Sequence, residues 1–369
     1  MILPSSLRAV AVALALLLPA SSSAAAQSGA AASGAPPAPT LHLPMLRAPA
    51  AHAPAAHAPA AHAPPAAPLV APWFLGVPYG TTAPGDPLYA ETRFDLFYPA
   101  GGAPHILGLD TPVMPVAVLL HGGNTNAPLP GPEALSELSL ALLAQGFVVV
   151  IPSFHVLDLF GGEDYLHTTD DVARLVQFLR HHHAIVNIDP ARVFCQGHSS
   201  GGFHALYLGL NKDFADPASA DPVAHESSRP DFLVPWGIAT DWTCVAYGDP
   251  ATNPLISLLV FGVADGADVP FAAKQAQSPT FWVSHPQLYG CTKTPPMCLV
   301  YNLSLQTPCG SIVNLHDGKF GVLMLAGIGR FCAQGGAGQP ACTDSVLLDS
   351  TDAAAATQAV VAWMAERAF

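Results

Sequence analysis

Hydrophobic and polar positions along this 369-residue chain fall into two periodicities, and they alternate. Thr92-Arg93-Phe94-Asp95-Leu96-Phe97-Tyr98 alternates apolar and polar residues through Arg93 to Leu96, which predicts an early, half-exposed strand. Pro115 to Leu120 is instead an unbroken apolar run, as a central strand buried on both faces requires, and Phe147 to Pro152 is a second. Between them Glu133 to Gln145 has helical spacing and stops at Gly146. Thr168 to Leu179 reads as a helix opened by Thr168 or Thr169, with Asp170 and Asp171 in a first turn whose dipole favours acids. Arg192 to Cys195 is the next short strand, followed by a helix from Ser200 to about Leu210. Farther on, Leu255 to Phe261 reads as a buried strand, Phe281 to Ser284 as a strand-like run, and Asp352 to Arg367 as a closing helix. Alternation of this kind from Trp73 onward predicts an α/β domain with a mostly parallel central sheet and helices on both faces, spanning residues 71–369.

The first 70 residues belong to neither pattern. Arg8, the apolar run Ala9 to Leu18 and the small residues Ala24-Ala25-Ala26 have the layout of an export signal over residues 1–26, shorter than a membrane span and closed by Pro19. Residues 27–70 turn to Ala, Pro, Ser and Gly, a composition that cannot bury a core and predicts a disordered linker. His52, His57 and His62 repeat there in identical Ala-His-Ala-Pro contexts, but a five-residue period sets successive imidazoles on different faces of a helix or a polyproline helix, so no metal site is preformed.

Charge and cysteines narrow the setting. The net charge is −13 with only 13 Lys plus Arg and no basic block, so the chain carries no electrostatic footprint for nucleic acid or an anionic membrane. Of seven cysteines, six (Cys244, Cys291, Cys298, Cys309, Cys332, Cys342) crowd the C-terminal third. That density fits disulfides formed in a secreted or periplasmic protein, with a pairing that spacing does not reveal. Zinc is disfavoured, because no paired C-x-x-C units occur. Cys195, inside a predicted strand, reads as a buried thiol.

The chemistry centres on Gly197-His198-Ser199-Ser200-Gly201, which sits between a predicted strand and a predicted helix. A serine on such a tight turn needs glycines on either side, where side chains would strike neighbouring backbone. With Pro115 to Gly123 before it, this segment resembles the α/β-hydrolase superfamily. The stretch containing Trp282, Cys291 and Pro308-Cys309-Gly310 is loosely similar to secreted feruloyl-esterase and polyhydroxybutyrate-depolymerase-like enzymes, and cutinase-type polyester hydrolases are a comparable neighbour. The resemblance implies a serine carboxylic-ester hydrolase that forms an acyl-enzyme and needs no metal or organic cofactor.

Residue by residue, it makes Ser199 the nucleophile and gives the oxyanion hole to the backbone amides of Ser200 and Gly123, with Gly122 or Asn124 as alternatives to the latter. The family order of serine, acid, histidine places both partners after Ser199. Gly262-Val263-Ala264-Asp265-Gly266-Ala267-Asp268-Val269-Pro270 is similar to the family's acid-bearing turn, which nominates Asp265, with Asp268 and Asp241 as alternatives. Only His285 and His316 follow Asp265. His316 is the preferred base because it follows the apolar-rich segment Ser311 to Leu315 and enters a glycine-containing loop; His285 is the alternative. The 51 residues from Asp265 to His316 would hold a disulfide-stapled insertion with Cys291, Cys298 and Cys309. His198 reads as the variable residue of the pentapeptide. Trp242, Trp282 and Phe160 are either an aromatic site or core. The expected partner is a small-molecule or polymeric ester. A serine peptidase of the same fold and a catalytically silent binding module are the competing functions, and oligomeric state is not legible.

Overall fold

The computed structural model describes residues 72–369 apart from 81–91, 105–111, 124–134, 155–164, 248–256, 258–259, 264, 292, 313 and 337. The signal and linker expectations, the histidine repeat, Asn124 and Phe160 therefore lie outside the described residues.

The strands β1 (Pro72–Pro78), β2 (Arg93–Phe97), β3 (Met114–Leu120), β4 (Val148–Ser153), β5 (Ile188–His198), β6 (Phe232–Trp236), β7 (Cys298–Tyr301) and β8 (Val346–Asp349) form one sheet in the order β1-β2-β4-β3-β5-β6-β7-β8. The first two pairings are antiparallel, and every pairing from β4–β3 onward is parallel. Side chains alternate between the two sheet faces, so Val116, Val118 and Leu120 of β3 join one core while Ala117 and Leu119 join the other. Both faces are covered. Of the helices α1 (Glu137–Ala144), α2 (Tyr165–His181), α3 (Ser200–Leu210), α4 (Phe271–Ala276), α5 (Pro279–Ser284), α6 (Gly318–Phe331) and α7 (Ala353–Ala368), α2, α3, α5 and α6 pack on the first face and α1 and α7 on the second, while α4 buries no residue.

Local chemistry explains several boundaries. Ser136 caps α1 by accepting from the Ser139 amide, and Asp352 caps α7 by accepting from the Ala354 and Ala355 amides. Helix α2 starts at Tyr165, so Thr168 and Thr169 are interior residues and not caps. Their hydroxyls lie 3.1 and 2.9 Å from the two ring nitrogens of buried His204, an inward use that a capping pattern cannot reveal. Strand β2 is buried, not half-exposed, because β1 covers its free edge and Asp95 turns inward to accept from the Gly76 amide.

Two predicted strands are helical. Ser257, Val260 and Phe261 have helical backbone, and Phe281 to Ser284 belong to α5. A short apolar run with one face buried satisfies either conformation, and here the sheet positions are taken by β6 and β7. Of Ser311 to Leu315, Ile312 forms a single parallel bridge with Val245.

Two disulfides close the C-terminal third. Cys244–Cys309 joins the segment after β6 to the loop after β7, and Cys332–Cys342 closes a short loop after α6. Cys291 and Cys298 are buried thiols, which corrects the expectation that they staple an insertion: Cys298 is a core residue of β7, and Cys291 is held against the Arg229 guanidinium and the Gly209 carbonyl. Cys195 is likewise a buried thiol, its pKa pushed up to about 12 by burial, so it is unreactive at neutral pH. Among the described residues no helix is long and apolar enough to cross a membrane.

Candidate active site

Register places the chemistry. In the parallel ladder Leu120 pairs with Gly197, His198 with Trp236, and Trp236 with Val300. Four chain segments therefore leave the sheet at one level of its C-terminal edge: His121-Gly122-Gly123, Ser199, Gly237, and the loop after β7 that carries His316. Ligands of open α/β sheets bind at this edge.

Ser199 stands where β5 turns into α3 with φ 53° and ψ −119°, a strained conformation for a residue with a side chain. Two backbone bonds hold it there: its amide donates to the Trp236 carbonyl at 3.0 Å, and its carbonyl accepts from the Phe203 amide at 3.1 Å. The flanking glycines make the turn possible. A Cβ on Gly197 would lie 2.1 Å from the Gly201 carbonyl carbon, and one on Gly201 would lie 2.5 Å from the Leu120 oxygen.

The glycine loop packs directly on this turn. A Cβ on Gly122 would stand 3.1 Å from Ser199 Cβ and 3.3 Å from His198 Nδ1, and the Gly123 carbonyl accepts from the Ser200 hydroxyl at 2.9 Å. Gly123 has φ 86°, so a glycine suits the bend. Behind the loop, the His121 ring stacks on Phe154 at 4.0 Å, and burial lowers its pKa against the opposing pull of the Gly122 carbonyl. First-turn helix amides such as that of Ser200 have no partner within the helix, which leaves them free for an anion.

His316 reaches this edge and His285 does not. The His316 ring lies on Gly237, where a Cβ would be 3.3 Å from its Nδ1, and its centroid is 4.8 Å from that of His198. His285 caps the far end of α5, with Nδ1 3.1 Å from the Phe281 carbonyl, in a small polar pocket with Asp241, Ser284 and Arg330. Burial first, and then the neighbouring His198, lowers the His316 pKa below its ordinary 6.5. A group with a depressed pKa is neutral at neutral pH and can accept a proton. If His316 is the base, kcat/KM should be flat through neutral pH and fall only below pH 6.5 as the imidazole protonates; a pH–rate profile with its acid midpoint at 7 or above would contradict this.

The carboxylates have other partners. Asp265 occupies an exposed turn, accepts from the Ala267 amide at 2.8 Å, partly offsets the burial that lowers the pKa of nearby Lys274, and lines an open cleft with Asp268, Phe261 and Pro270. Asp241 caps a short turn by accepting from the Thr243 amide and hydroxyl. Buried Asp317, next to His316 in the chain, is committed to the amides of Thr307 and Lys319. Among the described residues no carboxylate is hydrogen-bonded to the His316 ring. Trp242 and Trp282 are core residues, at 0% and 1% exposure. Two contributors have little or no signature in the sequence: Gly237, whose missing side chain admits the His316 ring, and His198, which touches both Gly122 and His316. A glycine closing an apolar strand is the only signal for the first.

Comparison with known proteins agrees with this architecture. Residues 108–252 match the BD-FAE family. No curated protein sequence matches the chain. Among solved structures, the fold is similar to a truncated carbohydrate esterase from gut microbiota, at 14% identity and TM-score 0.57, over 80% of this chain and 95% of that one. It is also similar to an acetyl ester-xyloside bifunctional hydrolase from Caldicellulosiruptor lactoaceticus, at 17% identity and TM-score 0.53, over 81% and 96%. A third is Thermogutta terrifontis esterase 2 phosphoramylated by tabun, at 13% identity and TM-score 0.51, over 83% and 98%. Strand order, the strained serine turn and these near-full-length superpositions lead to one conclusion: the chain has the α/β-hydrolase fold and resembles the serine esterases built on it.

Proposed function

We propose that the chain is a secreted or periplasmic carboxylic-ester hydrolase that works by acyl transfer through Ser199. The observation that carries this reading is the strained Ser199 turn with the Gly122-Gly123 loop packed against it and an imidazole at the same sheet edge. Ser199 attacks the ester carbonyl while His316 takes its proton, and the Gly123 and Ser200 amides receive the oxyanion. His316 then protonates the departing alcohol, and water, activated by the same imidazole, releases the acid and frees Ser199. The two disulfides fit an oxidising compartment. Asp265 is the acid of this proposal, and to orient His316 its exposed turn must move onto the ring when substrate binds; catalytic hydrogen bonds often tighten only then.

Turnover of p-nitrophenyl acetate by the purified protein tests the activity, and variants test the roles. His316→Ala should lower kcat/KM by roughly 10³-fold or more, whereas His285→Ala should stay within about threefold of wild type. Asp265→Asn should cost on the order of 10-fold if the turn closes only transiently. An active His316→Ala would remove His316 as base, and an Asp265→Asn variant indistinguishable from wild type would remove Asp265 as acid. One structural neighbour is a carbohydrate esterase and another an acetyl ester-xyloside hydrolase, so acetylated sugars are the first natural esters to try.

A further inference from the structure

The base is held in an unusual way. Asn314 fixes the backbone of His316 by accepting from its amide at 2.9 Å, but nothing among the described residues hydrogen-bonds the ring. An imidazole without a hydrogen bond keeps its orientation only through packing, because its terminal torsion has a broad, two-fold profile. Two surfaces supply that packing: the bare backbone at Gly237 and the ring of His198, which meets the His316 ring edge-on at 68°. His198 is well suited to be a stop. It is the last residue of β5, with its backbone in the ladder opposite Trp236, so its mount is rigid. On its other side the ring faces Gly122, where an added Cβ would stand 3.3 Å from His198 Nδ1 and 2.9 Å from the His198 carbonyl oxygen. One ring thus spans the gap between the oxyanion loop and the base.

We propose that His198 is a positioning residue, a wedge between the Gly122 loop and His316 that sets where the base stands relative to Ser199. This rests on the reading of His316 as base, and it concerns the shape of the ring, not its protonation. The pentapeptide position before the nucleophile is then a constrained site in this chain.

The test is steady-state turnover of p-nitrophenyl acetate by wild type, His198→Ala, His198→Phe, His316→Ala and the double variant His198→Ala/His316→Ala, each with its melting temperature. Misplacing a catalytic group by about 1 Å can cost on the order of 10²-fold in rate. His198→Ala should therefore lower kcat by roughly 10- to 100-fold with KM within about twofold. Phenylalanine, a ring of similar size, should restore kcat to within about threefold of wild type. Melting temperatures should stay unchanged, since His198 is exposed. Because the residue acts through the base, its removal should add no further loss to His316→Ala. The proposal is overturned if His198→Ala keeps kcat within about twofold, if His198→Phe is as slow as His198→Ala, or if the two losses multiply in the double variant. An active His316→Ala, seen with His198 intact, would instead refute the base itself and this proposal with it, a result distinct from the other three.

Discussion

Ser199→Ala is expected to reduce kcat on p-nitrophenyl acetate by roughly 10³-fold or more, equivalent to about 4 kcal/mol of lost transition-state stabilisation. In the proposed mechanism the substitution deletes the atom that forms the acyl-enzyme and leaves the Gly123 and Ser200 amides in place. What survives should be weak catalysis by the oxyanion donors and by binding. The same position makes a second measurement informative. At φ 53° any side chain is strained, so Ser199→Gly should be equally inactive yet more stable, by on the order of 1 kcal/mol, because glycine adopts that conformation freely. Urea unfolding of the two variants checks this. A dead and stabilised Ser199→Gly is the signature of a turn strained for the sake of its hydroxyl, and activity within about tenfold of wild type in Ser199→Ala would end the nucleophile assignment.

Gly197→Ala should be the most damaging small substitution in the fold. The added methyl would fall 2.1 Å from the Gly201 carbonyl carbon, 2.2 Å from its oxygen and 2.5 Å from the Gly202 amide, all backbone atoms that cannot rotate away. Relief requires pulling α3 off the end of β5, which breaks the Ser199 amide bond to Trp236 and opens the site. Overpacking in cores commonly costs about 1–3 kcal/mol, and with the main chain as the obstacle a loss of about 4 kcal/mol or more is expected, together with all ester turnover. Gly329→Ala on α6 is the control. Nothing lies within 4 Å of the position a Cβ would take there, so the variant should be neutral or stabilised by up to about 1 kcal/mol. Comparable denaturation midpoints for Gly197→Ala and Gly329→Ala would show that the turn tolerates what its geometry forbids.

Strongly buried periodic segments are legible in the chain itself. The runs around β3 and β4 and the helix Ser200–Leu210 stand where their patterns put them, because a continuous apolar run between turn signals and a glycine-flanked serine each admit few alternatives. Phe281 to Ser284 is helical against its strand-like pattern because a short apolar run suits a strand or one buried helical turn equally, and the choice depends on what it packs against. Strand β7, only Cys298–Tyr301, and β8, Val346–Asp349, are too short to produce a pattern, and they acquire strand conformation from the parallel neighbours that pair with them.

The site divides along the same line. Ser199 with its glycines, and the glycine loop after β3, are matters of local backbone conformation, so their residue types write them directly into the chain. Which of His285 and His316 reaches the serine turn, and the meeting of His198 with both Gly122 and His316, depend on which loops share the C-terminal edge of the sheet. That sharing is set by strand order and register between segments 76 to 194 residues apart in the chain, and no local pattern encodes the meeting of such distant side chains.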